Sequence, residues 1–324
     1  MCLEHGNLRD EPNCSVVSLL SSRSFTSFKN FVALNKEGKS MILATYIPFY
    51  RIHEVLLFFA KNCEIISPRE CWVFVDNVYH EKQKELLRKI FPDSYWVFTG
   101  NWRNRTETWL EIIRNASATG DECVVVDSDN LLDDLFKEIY LALKDAPLYT
   151  IMNIEAWSND ESRATYLRRS RKIGEINVRG ETRPLLLYKV YEGPGPSLFR
   201  GGSPFFIGPK QVVVFRKYPG EEILKGIERA IREVDPWLRN FINDETPLGI
   251  IAYLMGIKEV YWTFGSYHLY HGSTPSRQTP FLVALAHVQF ANGLAKVFRK
   301  KEFTYYGLKY RLAFWKNFLN LLSV

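Results

Sequence analysis

Glutamine is nearly missing from this chain of 324 residues: Gln83, Gln211, Gln278 and Gln289 are all there are. Depletion of thermolabile amides is a trait of thermophile proteins, and the composition leans that way. Cysteine is sparse and odd in number, with Cys2, Cys14, Cys63, Cys71 and Cys123. The spacings fit no zinc-binding pattern, and Cys71 and Cys123 lie in apolar runs. Reduced thiols are therefore expected, these two acting as small core residues. No apolar leader is visible, because Glu4, Arg9, Asp10 and Glu11 stand where a secretory signal needs one. No apolar stretch approaches the length of a membrane-spanning helix. The expected location is the cytoplasm. Basic charge is also lacking from most of the chain, despite the formal net charge of +6. Lys296, Arg299, Lys300, Lys301, Lys309, Arg311 and Lys316 against Glu302 supply all of it, so the preceding body is neutral. A neutral body argues against nucleic acid as a partner.

What is present is an ordinary globular composition, 46% hydrophobic and 24% charged, on a chain long enough for one large α/β domain with added segments. Residues 1–39, Ser-rich from Ser18 to Ser27, carry little apolar periodicity and read as an N-terminal extension of uncertain order. From Met41 the pattern alternates. Strand-like runs at Met41–Ile47, Cys71–Val75, Tyr95–Phe98, Cys123–Val126 and Leu148–Ile154 are separated by helical stretches. These are Ile52–Ile65, Glu81–Ile90, Arg105–Ala118 and Leu131–Leu143. Such alternation predicts a largely parallel sheet covered by helices on both faces, with ligands at the carboxyl ends of the strands. The stretch Ser158–Gly202 loses the pattern and reads as loops, with a hairpin around Leu185–Tyr191. Helices are expected again at Glu221–Val234 and Pro247–Met255, and a strand at Val260–Thr263.

Val124-Val125-Val126-Asp127-Ser128-Asp129 holds the chemistry. A buried strand ends in two carboxylates at i and i+2, and in extended chain these project the same way. Paired carboxylates at the mouth of a parallel sheet suit Mn²⁺ or Mg²⁺, which take one or two carboxylates and complete their shell with water and phosphate oxygens. Alone, Asp-x-Asp also reads as acidic capping of the next helix.

In its context the segment resembles the GT-A glycosyltransferases. Ile42-Leu43-Ala44-Thr45-Tyr46, Val73-Phe74-Val75-Asp76-Asn77, and Asn104-Arg105-Thr106 running through Gly120 to Asp127 follow that family's order across roughly residues 41–155. The resemblance implies a GT-A fold over 40–275. Residues 40–157 would be the nucleotide-sugar half and 158–275 the acceptor half. It implies Thr45 and Tyr46 beside the nucleobase, Asp76 on base or ribose, and Arg105 near base or sugar. Asp127, Ser128 and Asp129 would lie along the donor, with Asp129 and Asp127 as metal ligands. Gly201-Gly202 resembles the acceptor-side glycine strand, where a missing side chain lets backbone approach a sugar. Asp244-Glu245 resembles the catalytic acidic pair, either a general base or a carboxylate facing the anomeric carbon. It also reads as favourable charge at a helix start. A third metal ligand is expected from His271, with His268 as second choice.

Residues 276–324 form a basic appendage. Tyr305, Leu308, Leu312, Trp315, Leu319 and Leu322 recur at helical spacing. That pattern fits an interfacial helix on an anionic bilayer, making the protein peripheral on the inner membrane face, and it equally fits a terminal helix packed on the body. The expected function is transfer of a hexose from a UDP- or GDP-sugar to an acceptor such as a glycan, a protein or a lipid-linked group, assisted by Mn²⁺ or Mg²⁺. Two rivals stand. A sugar-phosphate nucleotidyltransferase would carry glycines after the first strand, where Tyr46-Ile47-Pro48-Phe49-Tyr50-Arg51 has none. A non-catalytic membrane-associated protein on the same scaffold would bind no donor.

Overall fold

Short apolar runs alternating with amphipathic stretches build a single ten-stranded sheet in the computed structural model. It describes residues 41–47, 58–66, 68–76, 85, 88–89, 95–99, 105–193, 203–242, 245–268 and 280–322. In chain order the elements are β1 (Met41–Ile47), a π-helical turn (Phe58–Asn62) running into α1 (Cys63–Ile66), β2 (Glu70–Asp76), β3 (Tyr95–Thr99), α2 (Arg105–Thr119), β4 (Glu122–Val126) and β5 (Asn130–Leu132). Next come α3 (Phe136–Ala142), β6 (Leu148–Asn153), α4 (Ile154–Ser158), α5 (Asp160–Leu167), β7 (Ser170–Val178), β8 (Glu181–Lys189) and β9 (Val212–Phe215). The chain then forms α6 (Glu221–Arg232), a 3-10 turn (Pro236–Phe241), α7 (Glu245–Leu254), β10 (Glu259–His268), α8 (Pro280–Phe298) and α9 (Lys301–Leu322).

The strand order is β3-β2-β1-β4-β9-β6-β10-β8-β7, with β5 paired to β10. β3, β2, β1 and β4 are parallel neighbours. β9 enters backwards between β4 and β6, and β6 and β10 are again parallel. β1, β2, β3, β4, β6, β7 and β10 thus point one way, against β5, β8 and β9. This is the α/β, mostly parallel sheet with C-terminal helices that the sequence predicts.

Both faces of the central strands are buried. Ile42, Ala44, Cys123, Val125, Val213 and Phe215 pack into the main core with α2, α6, α7, α8 and α9. Their alternates Leu43, Val124, Val126, Val212 and Val214 are equally buried on the other face. Each such valine or leucine contributes roughly 1.5–3 kcal/mol of transfer free energy. Cys63, Cys71 and Cys123 are free and buried, as expected of small core thiols.

Several elements differ from the sequence expectation. The helix expected from Leu131 starts only at Phe136, because Asn130–Leu132 pairs with β10 first. The stretch read as loops after Ser158 holds α5 and the long β7–β8 hairpin. That hairpin closes on Arg179 (φ 48°) and Gly180 (φ 87°), two positive φ angles in a row, as a type I′ turn requires. The helix expected over Glu81–Ile90 falls mostly outside the described residues, as does the 1–39 extension.

One helix, α8, is long and apolar enough to cross a membrane by length and composition alone, contrary to the expectation that no stretch would be. Ala284, Ala286, His287, Phe290, Ala291, Gly293 and Leu294 on it are buried, the use a core helix makes of the same composition. At Gly293 an added Cβ would lie 2.7 Å from the Ala230 carbonyl oxygen, so α8 meets α6 backbone to backbone. A second such contact holds α7: at Gly249 a Cβ would lie 2.4 Å from the Phe206 amide nitrogen.

Candidate functional site

The carboxyl ends of β1, β2, β4, β6 and β10 share one edge of the sheet, and β9, running backwards, begins there. Right after β4 the chain folds into a tight turn. The Asn130 N–H donates to the Asp127 carbonyl at 2.9 Å. Strand alternation therefore does not aim Asp127 and Asp129; the turn does, and the two carboxylates meet different partners. The Asp127 Oδ2 lies 3.6 Å from the Lys210 Nζ. The Asp129 Oδ1 accepts from the Asn130 side-chain amide at 2.7 Å, and its Oδ2 lies 3.4 Å from the His268 Nε2.

The turn is fixed from behind. Asn62 is fully buried, donates to the Asn130 carbonyl at 3.1 Å and accepts from the Leu132 N–H at 2.8 Å. Thr45 donates its hydroxyl to the Val126 carbonyl at 2.7 Å. β5 pairs with the end of β10, setting Asn130 opposite His268. The Glu155 carboxylate at the start of α4 accepts from the His268 backbone N–H at 3.2 Å.

A second group gathers on the α7 side. Glu245 opens α7 and acts electrostatically on Tyr166 and Tyr310. Burial, followed by the nearby Glu245 charge, pushes the Tyr166 hydroxyl up to about 12, while the Lys210 cation pulls the other way. Tyr166 also hydrogen-bonds the side chain of Gln211, whose backbone carbonyl accepts from the Asp127 N–H at 3.0 Å. Tyr166 and Gln211 therefore connect the Asp127 turn to the Glu245 end of α7.

The expected site residues divide accordingly. Asp127, Ser128 and Asp129 form the turn, with Ser128 buried and the acids partly exposed. Glu245 reaches the same edge. Thr45 does not face outward as expected: it is fully buried and its hydroxyl is committed to β4. Tyr46 is partly buried against the main core. Asp76 ends β2, paired in register with Thr99, and Arg105 begins α2. Gly201, Gly202, Asp244 and His271 lie outside the described residues. The histidine seen beside Asp129 is His268.

Lys210 was missed by sequence reasoning. Its signal was the apolar run Val212-Val213-Val214-Phe215 just downstream, which marks a strand, but the reversed direction that carries Lys210 to Asp127 is not written locally.

The donor set was tested against a divalent cation. Among the described residues no three His, Cys, Asp or Glu side chains converge. Asp129 with His268, and Asp127 one turn away, offer oxygen and imidazole ligands suited to Mn²⁺, leaving other positions for water and phosphate. The buried side-chain oxygens of Asn130 and Gln211 beside them accept no hydrogen bond, leaving acceptors for a bound group. The residues fit such an ion.

No protein-family model and no curated protein matches the sequence. Among solved structures, the chain is similar to mannosyltransferase PcManGT from Pyrobaculum calidifontis, in complex with GDP-Man and Mn²⁺. The identity is 13%, with 95% of this chain and 86% of that one covered at a TM-score of 0.45. It is similar to S. aureus TarS 1–349 in complex with UDP-GlcNAc at 12% identity, 80% and 67% coverage and a TM-score of 0.43. It spans 40% of the longer TarS chain. It is also similar to a 4-diphosphocytidyl-2C-methyl-D-erythritol synthase at 13% identity, 77% and 99% coverage and a TM-score of 0.37.

Proposed function

We propose that this protein transfers a sugar from a nucleotide-diphosphate sugar to an acceptor hydroxyl. The observation that carries the reading is the Asp127–Asn130 turn at the carboxyl end of β4, with Lys210 against one acid and His268 against the other. A divalent cation held by Asp129 and His268, with Asp127, would supply positive charge toward a departing diphosphate. Lys210 adds a fixed cation on the other side of the turn, where phosphate oxygens collect. Tyr46 and Asp76, at the ends of β1 and β2, stand where the nucleoside of such a donor would lie. Glu245 supplies a carboxylate from the far wall of the site, placed to act on the acceptor. The GT-A resemblance of residues 41–155 assigns the same parts to the same positions.

The test is calorimetric titration of UDP- and GDP-sugars with Mn²⁺ into the full chain and into Asp129→Ala. Binding that requires the metal and weakens about 10²–10³-fold in the variant is expected, the size seen when one electrostatic group is removed from such a site. A folded wild-type sample that binds no nucleotide sugar would sink the proposal. Binding of a nucleoside triphosphate in place of any nucleotide sugar would move the assignment to nucleotidyl transfer.

A further inference from the structure

The last helix is apolar on two opposite faces. Its inner face is accounted for: Phe303, Tyr306 and Tyr310 are buried in the main core, and Phe314 and Phe318 stack on Phe281 of α8. The outer face is not. Leu308, Leu312, Trp315 and Leu319 are 48%, 39%, 57% and 61% exposed. At 100° per residue these four fall within a narrow stripe, nearly opposite Tyr306 and Tyr310. They make up four of the nine exposed large hydrophobic residues among those described, all on one helix.

The charges around the stripe have one sign. Arg311 and Lys316 flank it on either side, and Lys301 lies at its amino-terminal end; all three are exposed. The acid of the helix, Glu302, is turned away and hydrogen-bonds Tyr253 of α7. A second copy of the chain seated on this stripe would set arginine and lysine against arginine and lysine. A surface of opposite charge with an apolar layer beneath it matches both features.

We infer that the outer face of α9 docks on an anionic lipid bilayer. Leu308, Leu312, Trp315 and Leu319 enter the boundary between headgroups and acyl chains, and Lys301, Arg311 and Lys316 meet the lipid phosphates. The helix lies flat, because its other side is fastened to α8 and the core. The inference stands on this face alone and does not require the transfer reaction.

The experiment is co-sedimentation of the full chain with vesicles of phosphatidylcholine, with and without phosphatidylglycerol. Two variants accompany it: Leu312→Ser with Trp315→Ser and Leu319→Ser, and Arg311→Glu with Lys316→Glu. The wild type is expected in the pellet with anionic vesicles and in the supernatant with neutral ones. Binding should fall roughly tenfold or more in each variant, since each basic residue at such a surface is worth about 1 kcal/mol. Because every substituted side chain is exposed, thermal unfolding followed by circular dichroism should be unchanged. Wild type that stays in the supernatant with anionic vesicles at low salt overturns the inference. So does a lipid-free dimer, seen by sedimentation velocity, that the serine variant converts to monomer.

Discussion

β4 and β9 run antiparallel through the middle of the sheet, and each end of this pair sets an acid against a base. At one end Glu122 meets Arg216 at 3.0 Å, both side chains under 10% exposed. Arg216 also donates to the carbonyls of Leu143 and Tyr140 and lies 4.2 Å from the Tyr140 ring centroid, and the Tyr140 hydroxyl bonds Glu122. At the other end Asp127 and Lys210 stand 3.6 Å apart, with 34% of the Asp127 side chain in solvent. The same two strands thus hold a sealed pair and an open one. A sealed pair has its hydrogen-bonding capacity met from within and serves the fold. An open pair keeps capacity for something that arrives from outside.

Breaking the sealed end should cost most. Arg216→Ala leaves Glu122 buried without its cation and is expected to lose about 3–5 kcal/mol of stability in urea unfolding. At the open end, Lys210→Met should leave the unfolding midpoint nearly unchanged, because water reaches Asp127. The same variant should weaken nucleoside-diphosphate binding by about 1.5–3 kcal/mol, the worth of a charged hydrogen bond, read by calorimetry. If Lys210→Met destabilises the protein as much as Arg216→Ala, the contrast between the two ends fails.

The two histidines described at length sharpen the contrast on a smaller scale. His268 is a third exposed beside Asp129. His287 is fully buried, stacked on Tyr310 and bonded to the Tyr306 hydroxyl, and burial lowers its pKa from 6.5 to about 3. The unfolded chain takes up a proton near pH 6.5 that the folded chain refuses. The contribution of His287 is therefore present above pH 6.5 and is lost as pH falls toward 3, at up to about 1.4 kcal/mol per pH unit. His287→Phe should make the pH 6-to-4 dependence of stability shallower by about one proton, measured by urea unfolding at stepped pH.

The parallel half of the sheet was legible because its strands are buried on both faces and read as apolar runs: Met41–Ile47, Cys123–Val126 and Leu148–Asn153 lie within a residue or so of their predicted bounds. β7 was not, because Ser170-Arg171-Lys172-Ile173-Gly174-Glu175 is the polar writing of an outermost strand with exposed side chains. At the site, residue types could be read but directions could not. Asp127 and Asp129 were placed by an alternation that the turn cancels. Thr45 was given to a ligand although its hydroxyl belongs to Val126. Lys210 depends on a strand entering backwards, a tertiary choice with no local mark.

The missing side chain at Gly249 has a mechanical consequence. α7 rests there directly on the Phe205–Phe206 backbone, with no flexible group between them to absorb a displacement. The segment that follows the Gly201-Gly202 loop and the helix that opens with Glu245 therefore behave as a rigid coupling. A push delivered to one is handed on to the other at full stroke, so an acceptor that shifts the loop's downstream strand also shifts the carboxylate.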